Sequence, residues 1–150
     1  MNWYAATFSQ QPEKFRQVYS SSTLKNISDS CNLCPQLITP DNFGQYQEKL
    51  RHTEVIFSTW GMIPLTEEQL DALPALKVVF YAAGATEYFA PPLLSRGIKI
   101  VSAWKANAVP VAEFCLAQIL LGCKGYFRNQ REYSGPDKFE SLSLHHPAPG

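Results

Sequence analysis

The sequence predicts an α/β fold, a parallel sheet with helices on both faces, and three observations carry that expectation. Short β-rich runs alternate with helical patterns along most of the chain, the order that builds parallel sheets. Residues 76–82 (LKVVFYA) are apolar apart from Lys77, the mark of a strand covered on both faces. The 150 residues, 45% hydrophobic and 17% charged, match one globular domain that buries about two thirds of its unfolded surface. In such sheets the crossovers are right-handed, and ligands bind beyond the carboxyl ends of the strands.

Each element has its own signal. Residues 3–8 (WYAATF) read as a first strand from their aromatic content. Pro12 sits near the start of a helical stretch, PEKFRQVYSS, with Phe15, Val18 and Tyr19 at helical spacing. Residues 23–31 form a second helix or turn, with Leu24, Ile27 and Cys31 on one side. Gln36, Leu37 and Ile38 make a short strand, punctuated by Thr39-Pro40-Asp41 before a polar helix over 42–51. Residues 55–58 (VIFS) are a third strand ending in the loop TWGMIP. Thr66 stands three residues before Gln69, the spacing of a capping box, and Leu65, Leu70 and Leu73 surround it until Pro74 closes the helix. After the strand at 76–82 come a short helix over 91–95, stopped by Arg96-Gly97, and a strand over 98–101. One long helix is expected from Pro110 to about Arg128, with the proline in its first turn.

Charge and cysteine content exclude several classes of function. Lys plus Arg equals Asp plus Glu at 13 each, so no global field recruits nucleic acid or an anionic membrane. The apolar stretch from Phe114 to Cys123 is too short for a membrane span and is broken by Gln118. Met1-Asn2-Trp3-Tyr4 lacks the basic and apolar regions of a signal peptide, so a soluble cytoplasmic protein is expected. Cys31-Asn32-Leu33-Cys34 has redox or zinc-half-site spacing, but it precedes Pro35 instead of opening a helix. The other candidate ligands are poor. Cys115 and Cys123 sit eight apart in an apolar helical run, read as one buried face, and His145 and His146 lie in a proline-flanked tail. Reduced thiols and no metal site are expected, and His52 reads as a surface residue at the end of a polar helix.

The stretch Ala82-Ala83-Gly84-Ala85-Thr86 raises the functional question, because it lies where the most buried-looking strand ends. Small residues there leave backbone N–H groups uncovered, and uncovered N–H groups hold carboxylates or phosphates. A turn that needs glycine only for its dihedral angles accounts for the same residues. The residues by themselves leave both readings open.

Four pieces in order then carry a resemblance: Leu73-Pro74-Ala75-Leu76-Lys77 before a buried strand, the Ala-Ala-Gly turn, Arg96-Gly97-Ile98-Lys99-Ile100, and residues 107–114 (NAVPVAEF). From Val55 to about Tyr126, nearly half the chain, the sequence resembles the substrate-binding half of the D-isomer-specific 2-hydroxyacid dehydrogenases. The resemblance implies a flavodoxin-like lobe over 1–104. Residues 105–150 would then be an interdomain crossing helix and a linker into a Rossmann NAD-binding domain. It implies that the backbone amides of Ala83 and Gly84 bind the carboxylate of a 2-keto or 2-hydroxy acid. Ala82 and Ala85 would shape the same wall, and Trp60 would border the cleft. Asn107 and Pro110 match positions near the nicotinamide end of the cofactor, at the start of the crossing helix. Thr86 stands where many members carry an aspartate, and Pro110 where a small hydroxyl residue is usual. Glu113 matches a recurrent glutamate and reads as a first-turn acid stabilising the helix start.

A Rossmann lobe would announce itself by G-x-G-x-x-G between a strand and a helix. The eight glycines, at 44, 61, 84, 97, 122, 125, 135 and 150, do not form that pattern. The family's catalytic arginine, acid and histidine lie further along, so His52, His145 and His146 receive no catalytic role. Ser134-Gly135-Pro136 and residues 146–150 resemble the connection into the first Rossmann strand, so the chain reads as a truncated front half, inactive alone. NAD or NADP would belong to the full-length parent and bind this part only weakly. Leu116, Ile119, Leu120 and Cys123 would form an uncovered stripe on the long helix, favouring a homodimer or helix exchange between two chains. Two alternatives are a stand-alone small-carboxylate binding module without catalysis and a flavin or thiol redox protein. The latter lacks a phosphate-cradling loop after the first strand, where only Ser9-Gln10-Gln11-Pro12 is found.

Overall fold

Five strands, β1 (Tyr4–Phe8), β2 (Asn32–Ile38), β3 (Val55–Ser58), β4 (Val78–Tyr81) and β5 (Lys99–Ser102), pair in parallel in the order β2-β1-β3-β4-β5. This is the flavodoxin-like order, with its switch point between β1 and β3. The computed structural model describes residues 3–133 and 135. The connecting helices are α1 (Pro12–Val18), α2 (Ser21–Ser30), α3 (Phe43–Leu50), α4 (Glu67–Asp71) and α5 (Ala90–Ser95), followed by α6 (Trp104–Cys123) and α7 (Tyr126–Glu132). The chain divides into two compact units, Met1–Asn107 and Ala108–Gly150.

The alternation of side chains along each strand builds the core of the first unit. Ala6, Phe8, Ile56, Val79 and Tyr81 are buried and cluster with Phe43 and Leu50 of α3, Leu70 of α4 and Leu93 of α5. Phe8 and Phe43 meet edge to face at 6.2 Å, and burying one such ring stabilises by about 1.5–3 kcal/mol. The expected capping box forms: Thr66 Oγ1 accepts from Gln69 N, and Thr66 N donates to Gln69 Oε1.

The opposite sheet face departs from expectation. The strand at 76–82 was expected to be covered on both sides, yet Phe80 is 38% exposed and Val78 is half-buried. Phe57 and Phe80 stack across the β3–β4 pair at 5.4 Å, and Val101 beside them is also exposed. Both faces of the run are apolar, so pattern alone could not say that one lies open among the described residues. At the sheet edge, β2 starts at Asn32 and runs through Pro35 to Ile38, seven residues instead of the three expected. Pro35 is tolerated because β2 is an edge strand and its register with β1 shifts between Ala5 and Thr7. The CxxC pair therefore follows a helix and opens a strand, the reverse of a thioredoxin-like arrangement.

Tyr19 ties α1's end to the sheet. Its Oη donates to the Ser58 carbonyl at 3.1 Å, and burial pushes its phenol up to about 12 from an ordinary 10.0. Below pH 10 folded and unfolded chains both keep this proton, so its contribution is constant. Between pH 10 and 12 only the unfolded chain has lost it, so stability falls through that window. The expected loss at Tyr19 is roughly 2–3 kcal/mol, at about 1.4 kcal/mol per pKa unit. Burial pushes Tyr81 the same way. Urea unfolding across this pH range should show the decline, and Tyr19→Phe should lessen it, with Tyr81 accounting for part of what remains; an equal decline in that variant would locate the effect elsewhere.

In the second unit, the single helix expected from Pro110 to Arg128 is two helices. The chain breaks at Gly125, whose φ of +70° favours glycine, and α7 follows. Helix α6 starts at Trp104, so Pro110 lies in its interior instead of its first turn, and the Ala106 carbonyl loses its helical partner. None of α6 is buried: Val109, Val111, Phe114, Leu116, Ile119 and Leu120 are all more than half exposed. The expected stripe is thus apolar on every side, and Cys115 and Cys123 are exposed instead of forming a buried face. With its earlier start, α6 is long and apolar enough to cross a membrane, which the stretch from Phe114 alone was not. The tail segments at 134, 136 and 146–150, with His145 and His146, lie outside the described residues.

Candidate functional site: an amide turn at the carboxyl edge of the sheet

Because all five strands are parallel, their carboxyl ends share one edge, and the loops after β1, β3 and β4 gather there. The first two are tied to each other. Gln10 N donates to the Gly61 carbonyl at 2.7 Å and Gln10 Nε2 to the Met62 carbonyl at 2.9 Å. Gly61 has φ +84°, and a Cβ there would meet the Gln11 side chain at 3.1 Å, so glycine is required by conformation and by space. The crevice at the switch point is therefore occupied by the protein's own glutamines. Ser9 Oγ accepts from Gln11 N in the same loop. This loop has neither the glycines nor the open amides to cradle a dinucleotide phosphate.

The turn after β4 is different. Ala82 N still donates to the Ser58 carbonyl, the last rung of the β3–β4 ladder. Beyond it, the amides of Ala83, Gly84, Ala85 and Thr86 have no acceptor among the described residues. The carbonyls of Ala82, Ala83, Gly84 and Thr86, by contrast, are held. Thr59 Oγ1 donates to Ala82 O at 3.1 Å; Ser102 Oγ lies 2.9 Å from Ala83 O and 2.8 Å from Gly84 O; and Thr86 O accepts from Phe89 N and Ala90 N. A short run of peptides with held carbonyls and open amides has the dipole arrangement that suits an anion.

Gly84 itself does not take a positive φ. A Cβ added to it would come within 3.1 Å of Asn107 Nδ2, so the glycine is there for the close approach of that side chain. The structure thus brings together Gly84 and Asn107, two residues singled out from the sequence. Ala83 is 1% exposed, Ala82, Gly84 and Thr86 are half-buried, and Ala85 is exposed, so the open amides outside the buried Ala83 are those of Gly84, Ala85 and Thr86. Trp60 stands exposed on the same edge, without ring contact or hydrogen bond to the turn among the described residues. Asn107 was expected at the start of the crossing helix, but α6 begins at Trp104 and Asn107 N already donates to Ala103 O. Pro110 falls in the second unit and is exposed.

Thr59 and Ser102 were not anticipated. The signal was present: β1, β3 and β5 each end an apolar run on a hydroxyl, Ser9 after Phe8, Ser58-Thr59 after Phe57, and Ser102 after Val101. Ser58 Oγ likewise donates to the Phe8 carbonyl. A larger groove lies elsewhere among the described residues. About 600 Å³ in volume, it runs over the open sheet face beside Trp3, Ile27, Phe57 and Phe80, toward the amino ends of the strands. Its walls are mostly apolar, with Thr23, Asn26 and Ser30 of α2 on one side. A smaller hollow of about 280 Å³, lined in part by Tyr81, Ala82, Ser102 and Ala103, reaches the first residue of the turn. Among the described residues no cluster of three or more His, Cys, Asp or Glu is placed to hold a metal.

Fold and turn together define a flavodoxin-like α/β unit with an amide-rich turn at the carboxyl edge of its sheet. Among solved structures it is similar to a phosphoglycerate oxidoreductase from Rhizobium etli, with TM-score 0.61 and 20% identity over 86% of this chain. A phosphoglycerate oxidoreductase from Vibrio cholerae O395 matches at 19% identity over 97% of this chain, but its TM-score of 0.47 is too low to add to the argument. The chain spans 39% and 42% of those two proteins, about two fifths of their length. At this identity the likeness establishes the fold. By sequence, no family profile and no curated protein matches the chain.

Proposed function

We propose that this chain is the substrate-binding part of an NAD(P)-dependent D-2-hydroxyacid dehydrogenase, and that its Gly84 turn holds the carboxylate of a 2-keto or 2-hydroxy acid. One observation carries the reading: the open amides of Gly84 and Ala85 lie at the carboxyl end of β4, and the carbonyls of the same two peptides, Ala83 O and Gly84 O, are held by Ser102. The likeness in fold to an oxidoreductase and the order of the sequence motifs support it. The loop after β1 is bonded to Gly61 and Met62, which argues against a dinucleotide phosphate site in that loop. The dinucleotide is assigned to a separate Rossmann domain of a longer, cytoplasmic protein, with Asn107 and Pro110 bordering it. The residues of this chain bind and orient the acid; the catalytic arginine, acid and histidine belong to that other domain. Residues 1–104 would form the lobe and 105–150 the crossing helix and linker. An apolar helix with no buried residue is a poor surface for a solitary domain. It favours this reading, with the cofactor domain or a second copy against α6, over a stand-alone carboxylate-binding module.

The test is to isolate the protein containing this chain from its native source, weigh it intact, and assay NADH- and NADPH-dependent reduction of a panel of 2-keto acids. A mass well above 16.9 kDa together with turnover supports the proposal. A native mass of 16.9 kDa without turnover would leave a binding module in its place.

A further inference from the structure

The geometry points to Ser102 as the positioning residue that aims the anion-binding amides, an inference that rests on the carboxylate reading above. The C=O and N–H of a planar trans peptide point in opposite directions. The Ala83 carbonyl shares its peptide with the Gly84 amide, and the Gly84 carbonyl shares its peptide with the Ala85 amide. Ser102 Oγ, at the end of β5, stands 2.9 and 2.8 Å from those two carbonyls. Drawing both carbonyls toward β5 turns both amides away from it, onto one side of the turn. A hydroxyl carries one proton, so Ser102 serves the two carbonyls in alternation. Thr59, following β3 on the other flank of β4, does the same for the peptide that carries the Ala83 amide. Donation to a carbonyl also polarises its peptide and strengthens the N–H on the far side.

Two adjacent, co-directed amides offer one donor to each oxygen of a carboxylate. That pairing favours a small planar carboxylate whose neighbouring carbon is unhindered, as in a short 2-keto acid. Gly84 and Ala85 supply these donors without side chains that would crowd such a ligand.

The test is NMR on the labelled chain with sodium pyruvate as the probe. Without ligand, Ser102→Ala should move the carbonyl-carbon signals of Ala83 and Gly84 and the amide signals of Gly84 and Ala85, leaving β1 and β2 in place. With pyruvate, the parent chain should show saturable shifts at Gly84 and Ala85. Ser102→Ala should weaken that binding by roughly tenfold, the scale of one lost hydrogen bond, and Ser102→Thr should restore it. A general loss of stability would not reproduce this pattern of confined shifts with rescue by threonine. Should Ser102→Ala not fold, Ser102→Cys keeps the volume with a weaker donor and should give an intermediate loss. Unmoved Ala83 and Gly84 carbonyl signals, undiminished pyruvate affinity, or failure of threonine to rescue overturns the role of Ser102 and leaves the carboxylate reading intact. Absence of saturable shifts in the parent chain removes the carboxylate reading, and this inference with it.

Discussion

Phe89→Ala is expected to destabilise the first unit by about 3–5 kcal/mol, a large share of the stability of a domain this size. Phe89 is 1% exposed and packs its ring 4.9 Å from Tyr81 and 5.0 Å from Tyr88. Truncation would remove those contacts and leave a cavity next to the carboxyl end of β4, where the surrounding strands have little freedom to collapse. The position also matters to the site, because Phe89 N donates to Thr86 O and closes the far side of the amide turn. Urea unfolding measures the change directly. A loss below about 1.5 kcal/mol, the range of volume-conserving swaps, would mean that Tyr81 and Tyr88 refill the space.

Gly84→Ala should separate ligand binding from stability. Because Gly84 does not take a positive φ, alanine meets no backbone penalty there. Its methyl would press on Asn107 Nδ2 at 3.1 Å, the movable end of a side chain, so the stability cost should stay below about 1 kcal/mol. Affinity for a short 2-keto acid should nevertheless fall by roughly tenfold or more, since the methyl displaces Asn107 and crowds the open amides; that corresponds to at least about 1.4 kcal/mol of binding free energy. Calorimetric titration with pyruvate and thermal unfolding of the same sample read the two effects. Unchanged affinity alongside the displaced asparagine would make the turn a structural connection only.

Much of the fold was legible because it rests on local rules. The strand at 55–58 and the capping box at Thr66 and Gln69 stand where the pattern placed them. Hydrophobic run length and turn chemistry report on a few neighbouring residues at a time, and those elements depend on little else. The same locality explains the misplacements. Pro35 reads as a breaker, but the β1–β2 register shift at the sheet edge absorbs it. Pro110 reads as a helix start, yet the helix forms six residues earlier and runs through it. The run at 76–82 reads as doubly covered, since pattern registers that both faces are apolar and not whether anything covers them.

The candidate site divides along the same line. The Ala82–Thr86 stretch could be found from composition alone: small residues at the end of a buried strand. Why Gly84 is a glycine could not, because the answer is Asn107, twenty-three residues on, held against it by the start of α6. Nor could Thr59 and Ser102 be recognised as the hydroxyls that hold the turn's carbonyls, since each reaches β4 from a different neighbouring strand. By itself the sequence determined the alternation of strands and helices, the parallel sheet and the small-residue turn, all matters of periodicity and steric size. Only the tertiary structure decided which amides of that turn are open. Peptide orientation there is set by hydrogen bonds across strands 18 to 23 residues apart, and no local pattern encodes them.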